Sequence, residues 1–163
     1  MVMISSNLAN ALATNPNVGD EASAITNFVN AWVTYFSTAT AGAVPIVSPL
    51  LQGTPATAMI GAMTGLSQSN NGATAINNGI TAFWTAMAPL ATTLFPTATA
   101  ITPPPTLSTI AAALAPVFVS NTQGSLTAAA CYSNIATALH TINIAGGIAI
   151  LVIASVPTPT PIL

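Results

Sequence analysis

The chain has 163 residues and an unusually low charge: it contains no lysine or arginine, two acidic residues and one histidine, for a formal net charge of −2. Soluble proteins carry about 25% charged residues, so the polar surface here has to be formed by threonine, serine, asparagine and glutamine. Nucleic-acid binding and phosphate chemistry depend on lysine or arginine to neutralise phosphates. The composition therefore excludes both of these classes of function.

The near absence of charge also bears on association. A net charge close to zero leaves little electrostatic repulsion between copies of a protein, and this favours association. Charged groups are costly to bury unless they are paired, and a chain that lacks them avoids this cost at an interface. The composition thus indicates a protein that packs against neighbours.

The first predicted unit spans residues 1–55. A short alanine-rich run at residues 7–14 is followed by a break at residues 17–19 and then by two adjacent carboxylates, Asp20 and Glu21. Such a pair occurs in metal sites and in acid–base catalysis, but a calcium site needs several further oxygen ligands. Carboxylates at a helix N-terminus bind free N–H groups and complement the helix dipole, and this is the interpretation that we favour.

A long amphipathic helix is predicted after these carboxylates. Its apolar residues recur at spacings of three and four, which places them on one helix face: Ile25, Phe28, Trp32 and Phe36. Asn27 and Asn30 lie in the same helix, although asparagine is unfavourable in helix interiors. Their amides are candidates for hydrogen bonds between helices or between subunits, and ordinary solvent-facing positions are the alternative.

The second predicted unit, residues 56–105, repeats this organisation. A shorter run at residues 58–69 and a glycine-marked break at residues 70–72 precede a second helix, whose apolar face is formed by Ile76, Ile80, Phe83 and Trp84. Asn77 and Asn78 are its candidate interface residues.

Two threonine–proline pairs resemble helix starts. Thr54 before Pro55 is typical of an N-cap followed by proline at the first helical position. Thr102 before Pro103 carries the same signal. We therefore expect a helix to begin at each of these pairs.

The third predicted unit spans residues 106–163. A shorter run at residues 108–120 precedes a long helix with Ile135 and Leu139 on its apolar face. Asn134 is its candidate interface residue, and Asn143 is a further asparagine inside this helix.

Cys131 and His140 lie in this last helix. They are nine residues apart, and at about 100° per residue they point to opposite sides of the helix. They therefore cannot form a nucleophile–base pair within it. We interpret them as a buried thiol and a polar core or interface histidine, and a catalytic partner from another subunit is the alternative.

The C-terminal part of the chain is apolar and then proline-rich. The run at residues 142–156 is shorter than the ~20 residues of a membrane-spanning helix, and no lysine or arginine flanks it. Its valine and isoleucine content leaves a β-strand open as an alternative for residues 144–156. We expect an extended tail at residues 156–163, close to polyproline II, with Ile162 and Leu163 as candidates for docking onto a neighbour.

The order of these features predicts the fold class. A short helix, a turn, a longer helix and a proline-rich connector recur in residues 1–55, 56–105 and 106–163. The sequence therefore predicts a single all-α domain over residues 1–163 with about six helices, arranged as three helix-turn-helix hairpin repeats with proline-rich connectors and an extended C-terminal tail.

The expected function is structural. The chain contains no catalytic or cofactor motif, and we expect neither enzyme activity nor a bound metal or cofactor. We expect a self-assembling subunit of a virion, such as a phage capsid or tail component, or of an extracellular filament or sheath. Its partners would be copies of itself and other structural proteins of the same particle, without nucleic acid. The alternative is a small membrane protein with several spans, including a pore-forming one.

Overall fold

The chain is mostly helical in the computed structural model, which describes residues 3–14, 20–66, 72–122, 124, 126–144, 147–153 and 156–163. The predicted breaks at residues 17–19 and 70–71 lie outside these ranges. The helices are α1 (Ser5–Ala13), α2 (Glu21–Phe36), α3 (Thr54–Met63), α4 (Gly72–Met87), α5 (Ala91–Leu94), α6 (Ile110–Thr122) and α7 (Ala128–Ile144).

Short strands accompany these helices. A two-residue hairpin pairs β1 (Thr40–Ala41) with β2 (Val44–Pro45), and a three-stranded antiparallel sheet has the order β3 (Ala98–Thr102), β4 (Ile148–Ile153), β5 (Val156–Pro161). Single 3₁₀ segments lie at Ser48–Gln52, Ala88–Leu90 and Leu107–Thr109. The coarse prediction of a helical chain is confirmed, and the sheet is an addition to it.

The helices pack around one core. Helix α3 lies along α4, α1 contacts both α2 and α7, and α6 contacts both α4 and α7. A single contiguous cluster of buried apolar side chains includes residues from each helix from α1 to α7. Such a cluster forms when the apolar stripes of amphipathic helices face one another.

Aromatic rings of α2 and α4 occupy the centre of this core. The Phe36 ring lies 5.3 Å from both Phe83 and Trp84, edge to face in each case, and Trp32 lies 6.1 Å from Phe83. Edge-to-face pairs at such distances are favourable beyond their burial. The positions that the periodicity assigned to the core stripe are buried, except Phe28, which is half-buried: Ile25, Trp32, Phe36, Ile76, Ile80, Phe83, Trp84, Ile135 and Leu139.

A helix begins at the first of the two predicted pairs, Thr54–Pro55, but not at the second. Helix α3 begins at Thr54 itself, with Gly53 as its N-cap and without a side-chain capping hydrogen bond. Thr102 ends strand β3, and the pair does not open a helix. At Thr102 the physical reason is that a residue before proline favours extended backbone, and pairing with β4 uses that conformation.

The C-terminal part forms strands rather than a helix and a free tail. Residues 148–153 form β4, in agreement with the β alternative for this run, and residues 156–161 pair with it as β5. The tail is extended as expected, but it is hydrogen-bonded to its own chain and does not form a separate polyproline segment.

Two helical glycines make a matched pair for testing the close contact of α3 and α4. A Cβ at Gly79 in α4 would lie 2.6 Å from Met63 Cγ and 3.2 Å from Met59 Cγ, whereas a Cβ at Gly61 in α3 would meet nothing within 4 Å. Alanine is favoured over glycine in a helix by about 1 kcal/mol, and overpacking costs about 1–3 kcal/mol.

We therefore expect Gly61→Ala to raise the free energy of unfolding and Gly79→Ala to lower it. Urea unfolding followed by circular dichroism measures both. Equal stabilisation by the two substitutions would contradict the close approach of the helices at Gly79.

Candidate functional site

A histidine–tyrosine pair joins two helices that are distant in sequence. The Tyr35 hydroxyl, near the end of α2, lies 2.7 Å from Nδ1 of His140 in α7. Tyr35 is fully buried and His140 is half-buried. Burial raises the pKa of Tyr35 well above its usual value and lowers the pKa of His140. At neutral pH the hydroxyl thus keeps its proton, and the bond joins two uncharged groups.

A buried asparagine lies one turn further along α7. Asn143 is 1% exposed, and its Oδ1 accepts a hydrogen bond from Trp84 Nε1 at 3.1 Å. Its Nδ2 donates to the Met3 sulfur at 3.6 Å. An unpaired buried amide would cost roughly 1–3 kcal/mol, so this contact specifies how α7 meets α4. Of the two roles that the sequence allows for the helical asparagines, Asn143 has that of an amide bonded between helices.

Neither these polar side chains nor Cys131, which also lies in α7, forms an evident reactive centre. Cys131 is buried, and burial raises the pKa of its thiol, which keeps it protonated and weakly nucleophilic. Within the described ranges, no group of three or more histidine, cysteine or acidic side chains is placed to hold a metal ion. We interpret the Tyr35–His140 pair as a structural connection between α2 and α7.

The acidic pair at residues 20 and 21 is engaged by backbone N–H groups. Asp20 is the N-cap of α2: its Oδ1 accepts from the Ser23 N–H, and its Oδ2 accepts from the Ser23 hydroxyl, both at 2.8 Å. These bonds lower the pKa of the carboxyl. Glu21 Oε1 accepts from the Gly65 N–H at 2.8 Å, which ties the turn after α3 to the start of α2. Asp20 thus has the capping geometry expected of a carboxylate at a helix start, whereas the bond from Gly65 places Glu21 against a segment that is distant in sequence.

Two of the candidate interface asparagines line a groove between α1 and α2. Asn30 is exposed and Asn27 is half-buried, and both border a groove of about 270 Å³ together with Ala11, Thr14 and Thr34. A neighbouring groove of about 320 Å³ lies between α1 and α7 and is lined mainly by alanines, hydroxyl groups and the Asn10 amide. No pattern in the sequence indicates this second groove, because it depends on how α1 meets α7.

The other candidates are placed differently from one another. Asn78 and Asn134 are exposed. Asn77 is half-buried, and its Oδ1 accepts from the Ala111 N–H at 3.3 Å, so it binds a free N–H group in the first turn of α6. This internal bond gives Asn77 a role within its own subunit.

The terminal apolar residues also separate. Ile162 is fully buried and bridges Ala41 of β1, so it belongs to the interior of its own chain and not to an interface. The Leu163 side chain is exposed, while its backbone exchanges two hydrogen bonds with Thr40. The expected docking of the tail onto a neighbour is therefore replaced, at Ile162, by docking onto the same chain.

A pH experiment tests the His140 environment. Folding lowers the pKa of His140 from its ordinary 6.5, so the unfolded chain takes up the proton first as the pH falls. The contribution of neutral His140 to the free energy of unfolding is therefore fully present above pH 6.5 and is lost below it. The Asp20 carboxyl also has a lowered pKa, and its contribution is lost only near and below pH ~4.

We expect the urea midpoint to fall between pH 7 and pH 5 in the parent chain and to stay level in His140→Gln, which does not titrate. An equal slope in both proteins would contradict the assignment to His140.

Across the residues described above, no helix has both the length and the apolar character needed to cross a bilayer. Searches against protein-family models, curated proteins and solved structures find no match for this chain.

Proposed function

We propose that this protein is a structural subunit that assembles with copies of itself, and with other structural proteins of the same particle, into a large assembly. The assembly would be a virion, such as a phage capsid or tail, or an extracellular filament or sheath. The observation that carries this proposal is the nearly uncharged exterior. The chain has no lysine or arginine, and its two carboxylates accept hydrogen bonds at the start of α2.

An uncharged exterior suits an extensive interface. Burying a charged group costs several kcal/mol unless it is paired. The grooves beside α1 are lined by no aspartate, glutamate, histidine, lysine or arginine. Their amides and hydroxyls can bond to a neighbour without that cost. Exposed Ile4 and Val119 add apolar surface. An assembly held in this way would be insensitive to salt, because screening acts on charges.

The proposal includes the internal repeat. The helix pairs α1–α2, α3–α4 and α6–α7 would be three copies of one hairpin, separated by the proline-rich segments near residues 45–55 and 96–105. Contacts within each of these pairs support it, as does the recurrence of Ala-Ile-x-Asn at residues 24–27 and 75–78. Repeats of this kind bury a shared core by stacking on one another.

The direct test is light scattering after size-exclusion chromatography in detergent-free buffer, at low and at high salt, followed by electron microscopy. Large particles of uniform mass at both salt concentrations would support the proposal. A monomer at every concentration tested would contradict it. Material recovered only with detergent would also contradict it and would favour the small multi-span membrane protein.

A charge introduced into the α1–α2 groove gives a site-specific prediction. Asn30→Lys places an unpaired cation on an exposed position of this groove, and we expect it to reduce particle formation strongly because the ammonium would have to be desolvated. Gln52→Lys, at an exposed position outside the groove, adds the same charge and is the control.

Light scattering compares the two variants with the parent chain. Loss of particles in Asn30→Lys alone assigns the groove to the interface. Unchanged particles in both variants would remove it from the interface, and loss in both would indicate a general effect of charge.

A further inference from the structure

Strand β5 combines an edge position with an unusual sequence. It forms one edge of the sheet β3–β4–β5, and its residues alternate strictly between proline and threonine from Pro157 to Pro161. Proline has no backbone N–H and is tolerated in a sheet only where that donor is not needed. The effect of each proline therefore depends on whether its backbone faces β4 or the outer edge of the sheet.

The hydrogen bonds at the end of the strand define these directions. The Ile162 N–H donates to the Gly147 carbonyl at 2.8 Å, on the side of β4. Leu163 faces the opposite side, where its N–H donates to the Thr40 carbonyl at 2.9 Å and its carbonyl accepts from the Thr40 N–H at 2.8 Å. The backbone groups of successive residues in a strand point to opposite edges.

Counting back from these two residues shows toward which edge the backbone groups of each β5 residue point. The backbone groups of Thr158 and Thr160 point toward β4, where their cross-strand partners are Leu151 and Ala149. The odd positions point away from β4, and each of them is a proline: Pro157, Pro159 and Pro161. These three residues are also exposed. Every outward position of β5 has therefore lost its N–H, and beyond Pro161 the same side of the chain is already paired with β1.

We propose that these three prolines close the β5 edge to strand addition, so that this protein associates through its other surfaces. A strand approaching this edge meets carbonyl acceptors but no donors, and a regular ladder cannot form. Lysine side chains are another common protection of sheet edges, and this chain contains none. Proline protects the edge without adding a charge to the exterior.

The same alternation specifies the register of β5. A slip of one residue would turn all three prolines toward β4 and would remove the hydrogen bonds that the threonine positions supply. Ile162, buried beside Ala41, would move to the opposite face. The prolines thus favour the observed pairing over its nearest alternatives.

The test restores the missing donors. In P157T/P159T/P161T each outward proline becomes a β-compatible residue with an N–H, while the threonines facing β4 are unchanged. We expect a several-fold rise in thioflavin T fluorescence and a shift to higher mass in light scattering, relative to the parent chain. P105T replaces an exposed proline outside the sheet and should leave both signals unchanged.

Amide hydrogen exchange separates edge pairing from general unfolding. In the folded parent, the amides of Thr158 and Thr160 should be protected, and rapid exchange at both would overturn the assigned directions. In the associated triple variant, the new amides at positions 157 and 159 should become protected; position 161 lies beside β1 of its own chain and does not report on association. A folded triple variant with the parent's mass and thioflavin signal would overturn the proposal, as would association that leaves the new amides unprotected.

Discussion

Replacing Trp84 with alanine is expected to lower the free energy of unfolding by about 3–5 kcal/mol, the range for large aromatic residues in a packed core. The ring is fully buried, contacts Phe36 at 5.3 Å and donates its indole N–H to Asn143. A Cβ at Gly147 would lie only 2.5 Å from the ring, so the backbone before β4 packs directly against it. Urea unfolding measures the loss, and a cost below about 1 kcal/mol would contradict the burial.

The two tryptophans provide a sharper comparison, because within the described part of the chain only one of them has a hydrogen-bond partner. Trp32 is equally buried, but its Nε1 has no partner among the described residues. Trp84→Phe leaves the Asn143 amide oxygen unpaired, at a cost of about 1–3 kcal/mol, in addition to the lost ring volume. Trp32→Phe loses similar volume but removes an unpaired donor. We expect the first substitution to be clearly more destabilising.

A double-mutant cycle isolates the hydrogen bond itself. Combining Trp84→Phe with Asn143→Leu should cost less than the sum of the single changes, because the second substitution removes the unpaired amide. Simple additivity would show that Trp84 and Asn143 are not coupled, and equal costs for Trp32→Phe and Trp84→Phe would lead to the same conclusion.

Removal of residues 156–163 is the second change with a large expected effect. It deletes strand β5, the buried Ile162 and the hydrogen bonds between Leu163 and Thr40. Loss of one buried isoleucine side chain alone costs about 2–5 kcal/mol, and β4 would also become an edge strand. We expect the truncated chain to be destabilised by at least this amount in urea unfolding.

Ile162→Ala in the full-length chain is the matched control. It separates the burial of this side chain from the pairing of the strand, and its cost should be part of the cost of truncation. A truncated chain with parental stability but altered oligomeric state would show instead that the tail binds a neighbouring subunit.

The helices could be predicted because their signal is local. Apolar residues spaced by three and four in residues 25–36 and 76–84 describe a helix face whatever the rest of the chain does, and these residues lie in α2 and α4. The carboxylate of Asp20 is another local signal, since a cap involves residues within one turn. Asp20 accordingly caps α2 through Ser23.

The roles of the asparagines could not be predicted in the same way. Asn30, Asn77 and Asn143 lie in similar helical sequence, yet one is exposed, one accepts from the Ala111 N–H and one is buried against Trp84. Asparagine has the same intrinsic helix propensity at each of these three positions. Its partner depends on which helix packs on that face, and this is decided by contacts between distant parts of the chain.

By itself, the sequence determined the low charge, the positions of the helical stripes and the extended backbone of the proline-rich tail, because each follows from residue type or short-range spacing. Only the tertiary structure decided that the Tyr35 hydroxyl meets His140 across 105 residues and that Ile162 is buried beside β1. The role of the prolines in β5 depends on both the sequence and the tertiary structure. Their alternation is visible in the sequence, but its meaning depends on which edge of the strand faces β4, and a backbone direction exists only once the strands have paired.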